Sequence, residues 1–390
     1  MKEYDNTMLN KDLLKIDQVT GFSKASKYVK EYKEKNPKKE VLSLGIGDVS
    51  KPIVKPIIDA MHQAVDDLSD MKHFSGYGSY YGLDQLKETI LKHEYSSFNF
   101  TKDEIFVSDG TKSDSTNLLE LFDPKSKILL SEVVYPIYRN GAYALSRKVY
   151  TTPLDKDFKM VIPKKHYDIV YICSPNNPIG NAYTYDDLKK WVHYCLKEKA
   201  VLIFDNVYEC FIRSKDIPRS IYEIKGSEKC AIELRSFSKK ASFTGLRCSY
   251  FVLPKAIDSK FYKERTINRF NGASYVAQMG AIAYYSKESQ KLIQKNLNMY
   301  HENIQFLKRS FLDLGFEVYG GEDAPYLWIR IKEKMNSFDY FKKLLNDIQV
   351  VVVPGIIFGD KGDSYFRVSG LGTIENSKKA IKRIQTYYEK

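Results

Sequence analysis

The stretch CAIELRSFSK (residues 230–239) joins a short apolar run to the polar segment Ser-Phe-Ser-Lys. Runs of the same kind, rich in Val, Ile and aromatic residues, recur at residues 105–107, 127–130, 169–173, 201–204 and 248–253. Their length and composition are typical of buried strands. Between several of them lie amphipathic stretches such as residues 185–199, whose apolar positions recur at helical spacing. The alternation predicts an α/β fold with a mainly parallel sheet flanked by helices.

The chain after Ser286 has a different pattern. A long helical stretch through Phe311 is followed by strand-like runs at residues 316–319, 326–331, 350–353 and 365–369, which predicts a smaller α+β domain. Residues 24–35 have a helical pattern and residues 41–44 resemble a strand, so we expect the amino-terminal segment to pack on this domain. The predicted division is a large domain at 48–285 and a small domain formed by 1–47 and 286–390.

Composition and charge exclude several classes of protein. Hydrophobic residues make up 43% of the 390 residues and charged residues 28%, which is typical of a globular chain. The formal net charge is +12, but Lys and Arg are interspersed with Asp and Glu, and no nucleic-acid-binding motif accompanies them. We therefore expect no nucleic-acid partner.

Other features argue against a secreted, membrane or metal-dependent protein. The five cysteines are widely spaced without a Cys-x-x-Cys motif, so we expect reduced thiols, and the six histidines form no ligand cluster, so we expect no metal. No apolar run approaches the ~18 residues of a membrane span, and the charged amino terminus lacks the apolar core of a signal peptide. The sequence thus predicts a cytoplasmic protein with no membrane partner.

Polar residues follow the predicted strands at residues 108–112, 174–177, 205–208 and 236–239. In a parallel sheet the carboxyl ends of the strands share one edge, and ligands bind outside that edge. We therefore expect these four segments to form one site.

Lys239 indicates what such a site would bind. A lysine amine can bond covalently to the aldehyde of pyridoxal phosphate, and an aspartate can keep the pyridine nitrogen of that cofactor protonated. Asp205 ends a predicted strand and Tyr208 lies one helical turn farther on, so both can meet a single ring. The predicted catalytic residues are therefore Lys239, Asp205 and Tyr208, and the predicted cofactor is pyridoxal phosphate.

The neighbouring segments supply the other groups that this cofactor needs. Backbone N–H groups that open a helix after a strand, two hydroxyls and an arginine suit a doubly charged phosphate. An amide can donate to the 3′-oxygen of the ring, and an aromatic side chain just past a strand end can stack on it. These predicted cofactor contacts are Gly110, Thr111, Lys112, Tyr135, Asn177, Ser236, Ser238 and Arg247.

Several of these residues also have ordinary structural interpretations. Asp205 alone could be a helix N-cap, Asn177 a turn residue ahead of proline, and Arg367 a member of a structural ion pair. A guanidinium group suits bidentate binding of a substrate α-carboxylate, which is the role we predict for Arg367. The stretch GYGSYYG (76–82) spaces its glycines wrongly for a dinucleotide fingerprint and follows no apolar strand, so nicotinamide binding is not predicted.

The sequence resembles the fold-type I aminotransferases that use pyridoxal phosphate, and among them most resembles the LL-diaminopimelate aminotransferase family. The resemblance runs nearly end to end and is carried by GIGD (45–48), VSDGTK (107–112), YP (135–136), SPNNP (174–178), SFSK (236–239), FTG (243–245), FNGAS (270–274) and GGEDAPYLW (320–328). It implies transfer of an amino group between an amino acid and a 2-oxo acid, with Lys239 as covalent lysine and proton shuttle.

The resemblance also implies a homodimer whose sites lie at the subunit interface. Tyr77 would reach the phosphate of the neighbouring subunit, and Asn271 would reach its substrate. Within one subunit, Gly47, Asn177, Lys112 and Arg367 would contact the substrate.

Three positions depart from the family pattern, and the resemblance places them at the distal end of the substrate. The family's Tyr-Gly-Pro-acidic-x-Gly is here YGSYYG (77–82), which puts Tyr80 at the acidic position, and an expected tyrosine aligns with Thr20. Where a phenol replaces a carboxylate, the second ammonium group of diaminopimelate would lose a charge-assisted hydrogen bond of ~1.5–3 kcal/mol. We therefore predict an amino donor without a distal ammonium group, contacted by Tyr80 and Thr20.

Two other functions remain open from the sequence alone. An oxidase, lyase or decarboxylase of an amino acid can use the same scaffold and cofactor, and dependence on a 2-oxo acid would separate it from an aminotransferase. A non-catalytic, aminotransferase-like binding protein is the second alternative, but the presence of Lys239, Asp205 and Arg367 argues against it.

Overall fold

The computed structural model describes residues 10–13, 16 and 21–389. Its strands are β1 (Leu42–Ser43), β2 (Ile105–Ser108), β3 (Ile128–Ser131), β4 (Val149–Thr152), β5 (Ile169–Cys173), β6 (Val201–Asp205), β7 (Ala231–Ser236), β8 (Ser249–Val252), β9 (Val318–Gly320), β10 (Tyr326–Arg330), β11 (Val350–Val351), β12 (Val353–Pro354) and β13 (Tyr365–Ser369). Its helices are α1 (Gly21–Lys35), α2 (Lys55–Asp67), α3 (Asp84–Glu94), α4 (Thr111–Asn117), α5 (Pro136–Ala144), α6 (Tyr185–Glu198), α7 (Phe237–Lys240), α8 (Lys260–Ile267), α9 (Tyr275–Tyr284), α10 (Lys287–Asp313), α11 (Ser337–Ile348) and α12 (Ile374–Tyr388).

The large sheet has the strand order β2-β8-β7-β6-β5-β3-β4. Strands β3 to β7 pair in parallel, whereas β8 is antiparallel to both of its neighbours. Helix α5 connects β3 to β4 and α6 connects β5 to β6, whereas short 3₁₀ turns lie between β6 and β7. A parallel pair needs a crossover connection of this kind. The prediction of an α/β fold with a mainly parallel sheet flanked by helices is therefore confirmed.

Buried apolar runs account for most of this sheet. Every residue of β2, β3, β5, β7 and β8 is buried. Four of these strands are almost entirely apolar in sequence, whereas β7 also buries Glu233 and Arg235. Strand β4, at the sheet edge, was missed because Tyr150 and Thr151 are exposed and the strand shows no apolar run.

Helix α6 shows how local sequence sets the crossovers. Thr184 caps its first turn by accepting a hydrogen bond from the Asp187 N–H, and the Asp187 carboxylate accepts one from the Thr184 N–H. Its face with Leu188 and Trp191 is buried against the sheet, and the helix ends where Lys199 adopts a left-handed conformation with φ 54°. The crossover thus delivers the chain to β6 and to Asp205 at its carboxyl end.

The carboxyl-terminal part forms an antiparallel sheet of order β12-β13-β10-β9, together with the parallel pair β1 and β11. Leu42 of β1 pairs with Val350 of β11, and Leu42 and Leu44 belong to a core that they share with residues of α10, α11 and α12. The segment before Gly47 therefore packs with this part of the chain. The division into domains at 48–285 and at 1–47 with 286–390 stays a prediction.

None of the helices in residues 10–13, 16 and 21–389 is both long and apolar enough to span a membrane. The same residues contain no group of three or more His, Cys, Asp or Glu side chains arranged to hold a metal ion.

Candidate active site

A cavity of about 1080 Å³ lies at the carboxyl ends of β5, β6 and β7, where the polar segments meet. Its walls also include residues of α1, of β13 and of the segment that leads from β1 to α2. Eleven of the predicted site residues line it. They are Gly47, Thr111, Lys112, Tyr135, Asn177, Asp205, Tyr208, Ser238, Lys239, Arg247 and Arg367.

Lys239 lies in the short helix α7, which begins directly after β7. Ser236 caps this helix by accepting a hydrogen bond from the Ser238 N–H at 3.0 Å, so the serine fixes the turn that carries the lysine. The Lys239 Nζ donates a hydrogen bond to the Gly47 carbonyl at 2.5 Å. Burial lowers the pKa of the Lys239 ammonium group to about 8, so its amine is available as a nucleophile near neutral pH.

Asp205 ends β6 between the ends of β5 and β7, and its side chain is buried. Its carboxylate accepts hydrogen bonds from the Tyr138 hydroxyl and from the Val207 N–H. Burial raises the pKa of the Asp205 carboxyl to about 6, although both hydrogen bonds act in the opposite direction. The next helical turn starts at Glu209 with Tyr208 as its N-cap residue, so Asp205 is not the cap of a helix.

Tyr208 and Asn177, the two predicted ligands of the 3′-oxygen, each form a hydrogen bond within the cavity. The Tyr208 hydroxyl is 2.9 Å from the hydroxyl of Tyr326. The Asn177 Oδ1 accepts a hydrogen bond from the Arg367 Nη1 at 2.6 Å, which leaves the Asn177 N–H₂ group for another acceptor. Asn177 is therefore held by a specific contact and is more than a turn residue.

Arg367 is a buried cation whose charge is not matched by a neighbouring carboxylate. It is only 3% exposed, and in the described part of the chain it forms no ion pair. Its guanidinium donates to Asn177 and to the Gly45 carbonyl at 3.2 Å, and it lies over the ring of Tyr326 at 4.5 Å. Its Nε has no hydrogen-bond partner. A buried unpaired charge is unfavourable, so this arrangement calls for an anionic ligand.

Gly110 and Arg247 approach each other closely at the edge of the cavity. A Cβ atom on Gly110 would lie 2.1 Å from the Arg247 Nη2, and Gly110 has φ 146°, so only glycine allows this close approach. Gly110 is the N-cap residue of α4, which points the free N–H groups of the first turn toward the cavity that Thr111 and Lys112 line. These donors fit the phosphate of pyridoxal phosphate, and the Asp205 carboxylate fits its pyridine nitrogen.

This geometry agrees with what known proteins show. The sequence profile of the family "Aminotransferase class I and II" matches residues 39–384. The chain belongs to the class I and II aminotransferases.

Individual relatives support membership of this family. This chain is 39% identical to the LL-diaminopimelate aminotransferase of Lawsonia intracellularis and 40% identical to that of Prochlorococcus marinus, each over 96% of this chain and 98% of the relative. The solved structure of L,L-diaminopimelate aminotransferase from Chlamydomonas reinhardtii superposes with a TM-score of 0.91 at 32% identity, covering 99% of this chain and 100% of the other.

Some predicted contacts of the aminotransferase lie away from the cavity. Tyr77 is 93% exposed, Tyr80 is 38% exposed, Asn271 is also exposed, and none of the three lines the cavity of its own chain. The segments that carry Tyr80 and Asn271 touch, because a Cβ atom on Gly272 would lie 2.6 Å from the Ser79 carbonyl oxygen. The three side chains therefore lie on the surface of this chain, away from its cavity.

Of the three remaining predicted residues, the structure describes two. Thr20 lies outside the described residues. Ser236 and Gly110 lie just behind the cavity wall, where one caps α7 and the other makes room for Arg247.

Two cavity residues of the aminotransferase were missed in the sequence. Tyr138, one helical turn after Tyr135 in α5, holds Asp205, and Tyr326 of β10 contacts both Tyr208 and Arg367. The helical spacing from Tyr135 could have pointed to Tyr138. Tyr326 had no local signal, because its contacts lie 118 and 41 residues away in the chain.

Proposed function

We propose that this aminotransferase holds pyridoxal phosphate in the cavity at Lys239 and transfers amino groups between an α-amino acid and a 2-oxo acid. When bound, the cofactor supplies an aldehyde to which the lysine amine and the substrate amine can bond in turn, and a ring that withdraws electrons. The observation that carries the proposal is the convergence of a lysine with a lowered pKa, a buried carboxylate and an unpaired buried arginine in one cavity.

Each residue has a role that follows from its surroundings. The Asp205 carboxylate, whose pKa burial raises to about 6, gains an opposite charge when a protonated pyridine nitrogen binds beside it. Tyr208 and Asn177 donate to the 3′-oxygen, and Tyr135 packs on the ring face. Ser238 and Arg247, with the first turn of α4, bind the phosphate.

Substrate binding follows from Arg367 and Lys239. The α-carboxylate of an amino acid would pair with the Arg367 guanidinium and supply the negative charge that this buried cation lacks. Lys239 lines the same cavity. Its amine would accept the proton from the α-carbon of the amino acid, and in the reverse half of the reaction it would return a proton to the α-carbon of the 2-oxo acid. Because its pKa is lowered to about 8, both protonation states are accessible near neutral pH.

We further propose a homodimer with shared sites. Tyr77, Tyr80 and Asn271 are exposed and lie outside the cavity of their own chain, and the segments that carry Tyr80 and Asn271 touch. This arrangement supports contact of the three side chains with the active site of a second subunit. The dimer would also cover Met71 and Phe74, which are exposed apolar side chains on the same segment.

The donor is the narrower part of the proposal. The relatives in Lawsonia and Prochlorococcus are named for LL-diaminopimelate, whereas in this chain Tyr80 stands where the family pattern has an acidic residue. We propose an α-amino acid without a distal ammonium group as the preferred donor. LL-diaminopimelate is the second candidate, favoured by 39–40% identity over nearly the whole chain.

A donor screen tests the proposed function. The purified protein, reconstituted with pyridoxal phosphate, is mixed with single amino acids including LL-diaminopimelate, and the cofactor absorbance is followed as its amino form accumulates. A second reaction with a 2-oxo acid should restore the original absorbance, which an oxidase, lyase or decarboxylase would not require. If no amino acid changes the absorbance, the proposed function is wrong.

A further inference from the structure

The Tyr208–Tyr326 pair holds two phenol groups but only one hydrogen bond between them. The two hydroxyl oxygens are 2.9 Å apart, both side chains are buried, and either could be the donor. Burial raises the pKa of both phenols above the ordinary value, so both keep their protons at the pH of catalysis. One proton lies between the oxygens, and one is left for another acceptor.

The direction of the shared bond decides which tyrosine has that second proton. If Tyr208 donates to Tyr326, its proton is used and it cannot donate to the cofactor. If Tyr326 donates to Tyr208, the Tyr208 proton is free for the 3′-oxygen. Only the second direction is compatible with Tyr208 as a donor to the ring.

Arg367 connects this pair with the other donor to the 3′-oxygen. Its guanidinium lies 4.5 Å from the centre of the Tyr326 ring, and its Nη1 donates to the Asn177 Oδ1 at 2.6 Å. The Asn177 carbonyl group is therefore occupied, and its N–H₂ group is free to donate. Arg367 thus holds both ring donors in orientation, Asn177 directly and Tyr208 through Tyr326.

We propose that Tyr326 is a positioning residue that donates its phenol proton to Tyr208, so that Tyr208 directs its own proton to the 3′-oxygen of the cofactor. This inference rests on the proposed binding of pyridoxal phosphate. Tyr326 also provides the ring on which Arg367 rests, so it joins the group that recognises the substrate carboxylate to the groups that tune the cofactor.

The pH dependence of the cofactor absorbance reports this arrangement. The visible band changes when the nitrogen that joins the cofactor to Lys239 loses its proton, and negative charge on the 3′-oxygen retains that proton. Hydrogen-bond donors to the 3′-oxygen weaken this retention. Loss of a donor therefore raises the pH at which half of the absorbance change has occurred, which we call the midpoint. We expect Tyr208→Phe to raise it by about 1–2 pH units, the effect of one hydrogen bond to a charged group.

Tyr326→Phe removes only the phenol and keeps the ring under Arg367. Because a neighbouring hydrogen bond strengthens another by about 10–30%, we expect the midpoint of the absorbance change to rise by about 0.1–0.6 pH unit. The double variant Tyr208→Phe with Tyr326→Phe should match Tyr208→Phe alone, since Tyr326 acts only through Tyr208. A fall in the midpoint of Tyr326→Phe would show that Tyr208 donates to Tyr326, which would overturn the inference.

Propionate, a carboxylate without an amino group, tests the second role of the ring. Its affinity for the cofactor-loaded protein should be unchanged in Tyr326→Phe and fall severalfold in Tyr326→Leu, because only the leucine variant removes the face under Arg367. Equal losses in both variants would contradict a role for the ring.

A matched control exists in the same chain. The hydroxyls of Tyr340 and Tyr388 are also 2.9 Å apart, away from the cavity, so Tyr340→Phe removes the same kind of bond and should leave the midpoint unchanged. Unaltered midpoints in Tyr326→Phe, or additive shifts in the double variant, would refute the inference alone. Absence of any visible band in the wild-type protein with pyridoxal phosphate would instead refute the proposed cofactor.

Discussion

Substitution of Arg367 by alanine should weaken recognition of every α-amino acid and leave the cofactor bound. In the structure the guanidinium is buried, has no carboxylate partner among the described residues, and has a free Nε. A substrate carboxylate would form charge-assisted hydrogen bonds of ~1.5–3 kcal/mol each, and we take about 3 kcal/mol for the pair because such bonds are not additive. At 1.4 kcal/mol per tenfold change, kcat/KM should fall about 150-fold.

The assay compares the best donor with its decarboxylated amine in both proteins. The wild-type protein should prefer the amino acid by about the same 150-fold factor, and Arg367→Ala should lose this preference. Arg367→Lys keeps the charge without the planar fork and should recover only part of it. If Arg367→Ala still prefers the amino acid as strongly as the wild type does, the carboxylate is bound elsewhere.

Further outcomes concern the donor, Asp205 and Lys239. Tyr80→Glu should raise kcat/KM for LL-diaminopimelate relative to the best native donor by about tenfold or more, because the distal ammonium regains a carboxylate partner; efficient turnover of LL-diaminopimelate by the unmodified protein would contradict this. Burial raises the pKa of Asp205 to about 6, so ionisation of this carboxyl above that pH destabilises the folded protein without cofactor. Asp205→Asn should therefore raise the free energy of unfolding of the cofactor-free protein more at pH 8 than at pH 4. An equal effect at both pH values would exclude the charge as the cause. In the protein without cofactor, the rate at which an amine-reactive probe labels Lys239 should reach half of its maximum near pH 8. A half-maximum at the higher pH typical of exposed lysines would contradict the lowered pKa.

The large sheet and the location of the site could be predicted because both depend on local signals. Buried strands such as β3 and β5 consist almost entirely of apolar residues, and the carboxyl ends of parallel strands meet at one edge. Lys239 and Asp205 come together by this topology alone, so their residue types and positions were sufficient. The edge strand β4 carries exposed residues and had no such signal.

Long-range contacts within the cavity could not be predicted. Tyr326 reaches Tyr208 only because the sheet of the carboxyl-terminal part packs against the end of β6, and no sequence spacing encodes that approach. The unpaired state of Arg367 is likewise a property of the assembled cavity. The sequence indicated an arginine suited to a carboxylate, but only the structure distinguishes it from a member of a structural ion pair.

The most direct test of the central proposal is to identify the lysine that binds the cofactor. Pyridoxal phosphate is added, the linkage is reduced with borohydride, and the modified peptide is sequenced. The adjacent Lys240 is an internal control, because its ammonium is buried and held by Glu94 at 2.6 Å and Glu209 at 3.4 Å. We predict that the reduced cofactor is found on Lys239 and not on Lys240. Modification of Lys240 or of any other lysine as the main product would contradict the proposed active site.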